Sequence, residues 1–435
     1  MKLLFLGLLF LSPFAKANFP EMFGASSSTS GLANQFNDDE KDPSNNYYNP
    51  ALLAFSKRPS FQITGNYNKT AFNKIDGVIT RNTVNSESTE NGSVNTNYPA
   101  LYSNSYHLSL PILKENGNKF AMSLFAPATS FQEMSSGDTF TPEYVMYRAR
   151  NTRTTLHLNF IMPLDNGWSW SLGAFSGMQI SGETEIAARY NGSGKNSTAK
   201  MKAVAKPSLS PIVSLARRLS DGTFILTYQH QMKNKMRIHS VGSTRDTALN
   251  FPYDFTMDSL VYFDPATLRV GETWKIPQGK FFTSLEFQYW KSYSPSIITV
   301  QQNGGFIVGT GDYGKVQTRN IIIPKVGYEF HLSEGLKAQM GLGYRPTPLK
   351  GDFSGPGNSV DVNAFIYALG LSSGFKFFEK AVEISGSLQV YDLQDKKVVK
   401  TPGNEEGNSG SKVGSPGYTV GGTIMNLALG MKVEF

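Results

Sequence analysis

Residues 423–435, TIMNLALGMKVEF, decide the fold class. The odd positions read Thr, Met, Leu, Leu, Met, Val and Phe, and the even positions read Ile, Asn, Ala, Gly, Lys and Glu. One face is therefore almost wholly apolar, and the other is mostly polar or small. A period of two over this length predicts a β-strand with two chemically different sides. Strands of soluble proteins usually have about five or six residues, so this strand is unusually long.

The same alternation recurs along the chain. Trp168, Trp170 and Leu172 alternate with small residues, and Phe281, Leu285 and Phe287 lie on one face of another segment. Roughly 14 segments share the pattern. They lie near residues 59–72, 102–113, 118–130, 152–164, 167–182, 203–219, 222–239, 265–276, 280–293, 317–332, 335–346, 360–376, 379–392 and 419–435.

The connections between these segments alternate in length. The short ones are rich in turn residues and include residues 114–117, 165–167, 220–222, 277–279 and 333–335. The long ones lie near residues 73–101, 131–151, 183–202, 240–264, 294–316, 347–359 and 393–418. Long two-faced strands with this alternation predict an all-β, 14-stranded antiparallel transmembrane barrel of the bacterial outer membrane. Short turns would face the periplasm. A soluble β-sandwich is the alternative, but it needs no such asymmetry of loops.

The N-terminus predicts export. Lys2 precedes an apolar run over residues 3–11, and Ala15 and Ala17 fit a small-x-small cleavage site. This pattern indicates a signal peptide over residues 1–17. The chain has no cysteine, which excludes disulfides and thiolate chemistry. Its formal charge of +7 is spread along the chain, so we expect no nucleic-acid partner.

A barrel of about 14 strands has a lumen too wide for its own side chains to fill. Residues 18–58 precede the first strand and have no place in the wall, so we expect them to form a hatch inside a barrel of residues 59–435. Within them lies SNNYYNPALLAF, residues 44–55. Asn49 suits a helix N-cap, Pro50 suits the first helical position and Ala51 continues the turn. Asn46 and Asn49 could also hydrogen-bond to the lumen wall.

The chain resembles the long-chain fatty acid outer-membrane transporters (FadL type), together with the related aromatic-hydrocarbon channels. The resemblance rests on FGAS at residues 23–26, SGLA at 30–33, Asn46, NPAL at 49–52, RPSF at 58–61, AP at 126–127, and NIIIPKVGYEFHLSEGLKAQMGLGYRPTP at 320–348. The aromatic Phe435 also fits. The resemblance covers essentially the whole chain after the signal peptide.

The resemblance implies uptake of a hydrophobic small molecule, gated by a hatch and released sideways through a gap at a kink in the third strand. The gating residues would be Asn46, Asn49, Pro50 and Ala51, and Pro127 would mark the gap or simply end the strand. Candidate ligand contacts are Phe19, Phe23, Arg148, Arg150 and Arg153, with Lys202 and Lys206 as further cations. Solvated loop charges are the alternative for the basic residues. A monomer, in contact with outer-membrane lipid and lipopolysaccharide, is the default of the family.

No enzymatic role is predicted. His107, His157, His230, His239 and His331 lie in no recognisable catalytic motif, although His107 and His157 fall on inward strand faces. No metal-ligand spacing or phosphate-binding loop is apparent, so we expect no cofactor. Fatty acid is the first ligand to test, and neutral hydrocarbon is the second. A general porin and an adhesive or structural barrel remain the alternative functions.

Overall fold

The protein was analysed as a computed structural model. The structure describes residues 20–82, 89–94, 96–112, 117–128, 143–147, 153–177, 182–188, 197–205, 208–244, 251–293, 297–305, 311–312, 317–351, 359–399, 411–413 and 417–435. The predicted signal peptide lies outside these ranges. Across the described ranges, no helix has both the length and the apolar character that a membrane-spanning helix needs.

Fourteen antiparallel strands form a closed barrel, as predicted. Each strand pairs with its neighbours in the chain, and the first strand closes the ring by pairing with the last. The strands are β1 (Ser60–Phe72), β2 (Leu101–Pro111), β3 (Lys119–Pro127), β4 (Thr155–Pro163), β5 (Trp168–Gly177), β6 (Ser208–Arg218), β7 (Gly222–Gln229), β8 (Ala266–Ile276), β9 (Gly279–Tyr289), β10 (Ile321–Ser333), β11 (Leu336–Arg345), β12 (Ala364–Phe377), β13 (Lys380–Val399) and β14 (Gly417–Glu434).

Residues 423–434 lie in β14 and show the two faces predicted from the sequence. Met425, Leu427 and Leu429 are exposed on the outer surface, whereas Asn426 and Lys432 are buried on the inner one. Other strands expose Leu369, Ile384 and further apolar side chains in the same way. An outward apolar band and a polar interior are what a barrel in hydrocarbon requires.

Tight turns join the strands at one end of the barrel, here called the short-turn end. Asn166 and Gly167 have φ values of 58° and 74°, and Phe378 and Glu379 have φ values of 44° and 63°. Two successive residues with positive φ are typical of the hairpin turns that match strand twist. Asn and Gly adopt this conformation easily, but Phe378–Glu379 carries no such sequence signal.

The connections at the opposite end, the long-loop end, contain more structure than we expected from their sequence. A six-stranded sheet there comprises strands Gly182–Ala188, Ser197–Ala205, Met232–Thr244, Phe251–Asp264, Ile297–Gly305 and Gly311–Asp312. A three-stranded sheet comprises Ile75–Asn82, Thr89–Val94 and Ser411–Val413, and Glu143–Tyr144 pairs with Ser359–Val360. Gly304 and Gly305, in the long connection near residues 294–316, end a paired strand of this sheet. Long hairpins can pair with each other above the wall, which their turn-rich composition conceals.

The N-terminal segment, residues 20–58, lies in the lumen. It contains helices α1 (Pro20–Phe23), α2 (Ser27–Ser30) and α3 (Asn45–Tyr48), followed by a 3-10 helix (Pro50–Phe55). Ser26 and Thr29 form a capping box at the start of α2. The segment is hydrogen-bonded to inward side chains of β2 through His107, of β7 through Thr227 and of β14 through Asn426. Contacts with opposite walls place it inside the barrel.

Inward-facing glycines let the segment approach one side of the wall closely. They are Gly271, Gly327, Gly341, Gly370 and Gly430, here called the glycine belt. A Cβ atom added to Gly341 would lie 2.5 Å from the Ala33 nitrogen, and one added to Gly370 would lie 3.1 Å from the Gly31 Cα. Strands β11 and β12 therefore contact the backbone of the segment, whereas the glycines of β8, β10 and β14 contact its side chains.

Candidate functional site: lumenal gate and apolar chamber

Asn49 joins two short helices to the wall. Its side-chain oxygen accepts a hydrogen bond from the Leu52 amide (3.2 Å), which makes it the predicted N-cap of the Pro50–Phe55 helix. Its Nδ2 donates to the Leu215 carbonyl (3.0 Å), the Leu226 carbonyl (3.1 Å) and the Thr227 hydroxyl (2.8 Å). One amide thus caps a helix and anchors it to β6 and β7.

The other residues named as gating candidates lie on the same side of the lumen. Asn46 donates to Ser123 on β3 (2.9 Å) and accepts from Asn159 on β4 (2.9 Å). The Ala51 amide donates to Ser214 (3.0 Å), and Ser169 donates to the Ala51 carbonyl (2.8 Å). Pro50 begins the 3-10 helix and is buried. These contacts fasten the segment to the wall from β3 to β7.

Two inward histidines flank this contact. His107 is within hydrogen-bond distance of Ser123 (2.8 Å) and of the Ala25 carbonyl (2.7 Å). Its Nε2 must therefore be protonated to donate to the carbonyl, which leaves Nδ1 to accept from Ser123. His157 stacks on Phe175, with the ring centroids 5.2 Å apart. Both rings are fully buried, as expected for lumen-facing positions.

The acidic loop of the segment lies at the short-turn end and is held by ion pairs. Asp38 pairs with Arg218 (2.8 Å) and Lys280 (3.3 Å), and Glu40 also pairs with Arg218. Asp39 pairs with Lys432. We call these three acids and their three cations the ionic latch. The latch accounts for the unusually charged sequence of residues 38–42, which cross-links the segment to β6, β9 and β14.

The pKa of Asp39 follows from this setting. Burial alone would raise the pKa of its carboxyl group. The positive charges of Lys432 and Lys337, together with hydrogen bonds, outweigh burial and hold the pKa well below its usual range. Asp39 therefore remains a carboxylate under mildly acidic conditions.

A packed cluster of buried apolar side chains, here called the apolar chamber, lies above the segment, towards the long-loop end. Met22 and Phe23 of α1 form its floor, and Phe23 meets Tyr147 edge to face at 6.1 Å. Its other buried aromatic walls include Tyr98, Tyr144, Phe263, Trp290 and Tyr391. Aromatic and aliphatic walls with few polar groups are typical of sites for apolar ligands.

Two buried arginines beside the chamber are already paired with carboxylates. Arg153, predicted as a ligand contact, pairs with Asp264 and lies 3.8 Å from the ring centre of Tyr262. Arg345 pairs with Asp361 at 2.9 Å. Because a buried cation needs a partner, each carboxylate offsets the cost of burying its arginine. The role of Arg153 as a ligand contact stays a prediction.

A third charge cluster lies lower in the lumen. Arg269 and Lys325 both reach the Glu286 carboxylate at 3.3 Å, and Lys325 also donates to the Asn34 carbonyl at 3.0 Å. Glu21 of the N-terminal segment joins the cluster by accepting from Gln288 (3.0 Å). The wall side of the cluster therefore has two cations and one acid, and the segment contributes the second acid.

The third strand loses its partner on one side near Pro127. β3 pairs with β4 only from Lys119 to Phe125, whereas its pairing with β2 continues to Pro127. Phe125, Ala126 and Pro127 are all buried, so the alternation of inward and outward residues also ends there. Proline lacks the N–H that a ladder needs, which suits a strand edge.

Several predicted site residues lie outside the described residues or away from this chamber. Phe19, Arg148, Arg150 and Lys206 lie outside the described residues. Lys202 is exposed in the sheet at the long-loop end. The cluster of Arg269, Glu286 and Lys325 was not predicted from the sequence. An available signal was a charged residue at an inward position on each of three successive strands.

One match to a catalytic sequence pattern lacks the geometry that the pattern requires. Gly370–Gly374 reads GLSSG and matches the G-x-S-x-G pattern, but it continues as strand within β12 instead of forming a strand–turn–helix elbow. Within the part of the chain that the structure describes, no group of acidic or histidine side chains could hold a metal ion.

Known structures share this whole architecture. A FadL homologue of Pseudomonas aeruginosa superposes with a TM-score of 0.66 at 15% identity, covering 98% of this chain and 100% of that one. The chain has the FadL-type fold. The P. putida toluene transporter TodX gives a TM-score of 0.55 at 11% identity, over 95% of this chain and 99% of TodX.

The monoaromatic hydrocarbon channel CymD is similar to the same degree. It gives a TM-score of 0.55 at 11% identity, over 96% of this chain and 99% of CymD. At these identities the likeness is one of fold. No family model and no curated protein matches the chain.

Proposed function

We propose that this protein is an outer-membrane channel for the uptake of hydrophobic small molecules, with long-chain fatty acids as the first candidates. The observation that carries the proposal is the aromatic chamber directly above a segment that fills the lumen. The FadL-type fold supports it. The chain would be exported by its signal peptide and would work as a monomer surrounded by lipid and lipopolysaccharide.

In this proposal residues 18–58 act as the hatch. A ligand enters from the long-loop end and displaces packing around Phe23. The apolar chamber favours a ligand that gains from leaving water. Movement of the hatch would break the Asn46 and Asn49 contacts, which are hydrogen bonds that can re-form after passage.

The charge cluster below the chamber suggests how a carboxylate would be received. Glu21 belongs to the hatch, whereas Arg269, Glu286 and Lys325 belong to the wall. When the hatch withdraws, the wall keeps two cations for one acid. A fatty-acid carboxylate could then replace Glu21, while a neutral hydrocarbon would gain nothing there.

Release would occur sideways beside Pro127. There β3 is no longer paired with β4, which would allow a seam to open in the wall beside the segment, where Phe125 packs on Tyr47. An apolar ligand passing through this seam would enter the lipid directly and avoid periplasmic water. Buried Phe125, Ala126 and Pro127 would line the seam.

Binding to the purified protein tests the chamber and the charge cluster together. Trp290 is fully buried in the chamber, so a dibrominated stearate bound there would quench its fluorescence. We expect quenching in the wild type and its loss in Trp290→Phe. Lys325→Met should weaken oleate binding about tenfold, the effect of one charge-assisted hydrogen bond, and leave methyl oleate unchanged.

The competing ligands distinguish the alternatives. In one outcome, toluene or dodecane displaces the dibrominated stearate as strongly as oleate does, and Lys325→Met has no effect on this displacement. Those two results together would assign the chamber to neutral hydrocarbons. The absence of any quenching through Trp290 would argue against an apolar uptake channel and favour a porin or an adhesive barrel.

A further inference from the structure

The inward face of β1 carries an unbroken series of polar, uncharged side chains. They are Gln62, Thr64, Asn66, Asn68 and Thr70, here called the polar column. None is more than 9% exposed. The column extends over about 26 Å, because each strand residue advances about 3.3 Å. Because strands of such barrels are tilted by about 35–45°, the column covers about 20 Å of the apolar band of about 25 Å that these barrels present to lipid.

The polar column has few hydrogen-bond partners. Within the described part of the chain, the side chains of Thr64, Asn66 and Thr70 make no hydrogen bond. Asn68 makes one bond, from Nδ2 to the Leu101 carbonyl (3.4 Å), and its Oδ1 accepts none. Buried polar groups nearly always have a partner, so the closed packing does not explain this series.

The strands beside β1 continue the same property. Several of their inward side chains have buried polar atoms without a hydrogen-bond partner among the described residues. They are Ser103 and Ser109 on β2, Ser387 and Gln389 on β13, and the Asn426 oxygen on β14. A four-strand surface of amides and hydroxyls therefore includes unused donors and acceptors beside groups such as His107 and Asn426 that bond to the segment. It is uncharged above Lys432 and Glu383, which lie at its lower end.

The rest of the wall holds the segment differently. From β3 to β7, side chains such as Ser169, Ser214 and Thr227 bond to the segment directly. On β8, β10, β11 and β12, and also at Gly430 on β14, glycines allow the segment to approach closely. No hydrogen bond joins the polar column to the segment within the described ranges. The column is therefore not needed to hold the segment in place.

We propose that the polar column is the wall of a second, hydrophilic route through the barrel, which passes small uncharged polar solutes such as sugars when the N-terminal segment moves away from β1. Amides and hydroxyls can replace the hydrogen bonds that such a solute makes with water. An apolar ligand gains nothing from this surface. The route is thus separate from the chamber and the seam beside Pro127.

The ionic latch closes the lower end of this route. Gln62, the lowest member of the column, stands opposite Lys432 in the β1–β14 register. Lys432 pairs with both Asp39 and Glu383 (3.4 Å). Because the latch ties the segment to β14 beside the column, the route stays shut while these pairs are intact.

Liposome swelling with the full-length protein and L-arabinose tests the proposal. We expect slow swelling for the wild type and at least about tenfold faster swelling for Lys432→Gln, since one charge-assisted bond shifts an equilibrium by that factor or more. Adding Thr64→Val and Asn66→Leu to Lys432→Gln should return swelling towards the wild-type rate. The control adds Thr273→Val to Lys432→Gln. Thr273 lies on β8 and is another buried threonine without a partner among the described residues. This control should leave the swelling fast.

A second arm avoids dependence on the Lys432 variant. The wild type and the Thr64→Val, Asn66→Leu variant are compared in about 1 M salt, which weakens ion pairs. Faster swelling of the wild type alone supports the route. Two results would overturn the proposed route. The first is an equal swelling rate of the two proteins in salt, and the second is a swelling rate of Lys432→Gln that the column substitutions do not change. Neither result depends on whether hydrophobic ligands bind the chamber.

Discussion

At the scale of single residues, Asn49 has two separable tasks. Its side-chain oxygen caps the Pro50–Phe55 helix, and its Nδ2 holds β6 and β7. Serine is also a good N-cap but is too short to make all the wall contacts. A serine at position 49 would therefore keep the local helix and release the segment from the wall.

We expect Asn49→Ser to weaken docking of the segment by about 1 kcal/mol for each hydrogen bond lost. Cells that produce it should become more sensitive to a hydrophilic antibiotic that an intact outer membrane excludes. Asn104→Ser, at an outward position of β2, is the control and should behave as wild type. Equal sensitivity of the two variants would show that Asn49 does not hold the gate.

The low pKa of Asp39 gives the latch a defined pH dependence. A carboxylate whose pKa is lowered in the folded, closed state stabilises that state fully when the pH is above the pKa of the unfolded chain. This stabilisation is lost only when the pH falls through the pKa of the folded state. We therefore expect swelling of wild-type liposomes to be unchanged between about pH 8 and pH 5. In Lys432→Gln the largest attraction is removed and burial raises the pKa, so swelling should increase as the pH falls within that window.

Swelling of the wild type that rises steadily from pH 8 to pH 5 would contradict this assignment of Asp39. Lys69→Gln, at an exposed position of β1, provides the control for removing one cation. It should show the wild-type pH profile.

At the scale of elements, the glycine belt shows how strands and segment fit together. Gly341 and Gly343 face inward on the same strand, two residues apart. A Cβ at Gly341 would meet the backbone of Leu32 and Ala33, whereas a Cβ at Gly343 would meet only the ends of the Ile366 and Lys325 side chains, at 3.2 and 3.3 Å. Backbone cannot give way as side-chain ends can.

We expect Gly341→Ala to displace the segment and destabilise the fold by about 1–3 kcal/mol, the usual cost of overpacking. Gly343→Ala should cost much less. Thermal unfolding of the two variants, with proteolysis of residues 20–58 as the readout of segment docking, checks the difference. Similar melting temperatures and similar protection of the segment would remove the glycine belt from this account.

The elements also show where sequence reasoning works. The strands of the wall were predictable because lipid outside and a polar lumen inside impose period two on each strand, as in Met425 to Met431. The sheets at the long-loop end were not predictable. Both faces of these strands lie outside the lipid, so their environment does not impose an alternation of apolar and polar residues. The Asn49–Pro50 cap was predictable because capping is local.

At the scale of the whole molecule, the unpredicted features of the site depend on contacts between residues distant in the sequence. The latch joins Asp39 to Lys432, and the charge cluster joins Glu286 to Lys325. Neither partner can be identified without the barrel register and the path of the segment. The fold class and the presence of a lumenal segment follow from pattern and length, whereas the site depends on which inward residues face each other.

Uptake of labelled oleate by Gram-negative cells that lack their own fatty-acid channel is the most direct test of the central claim. Wild type, Pro127→Val and empty vector are compared at matched outer-membrane levels. The account predicts uptake well above vector for the wild type and reduced uptake for Pro127→Val, which restores a ladder donor at the seam. Wild-type uptake no higher than vector, for both oleate and toluene and with the barrel correctly folded, would contradict the account.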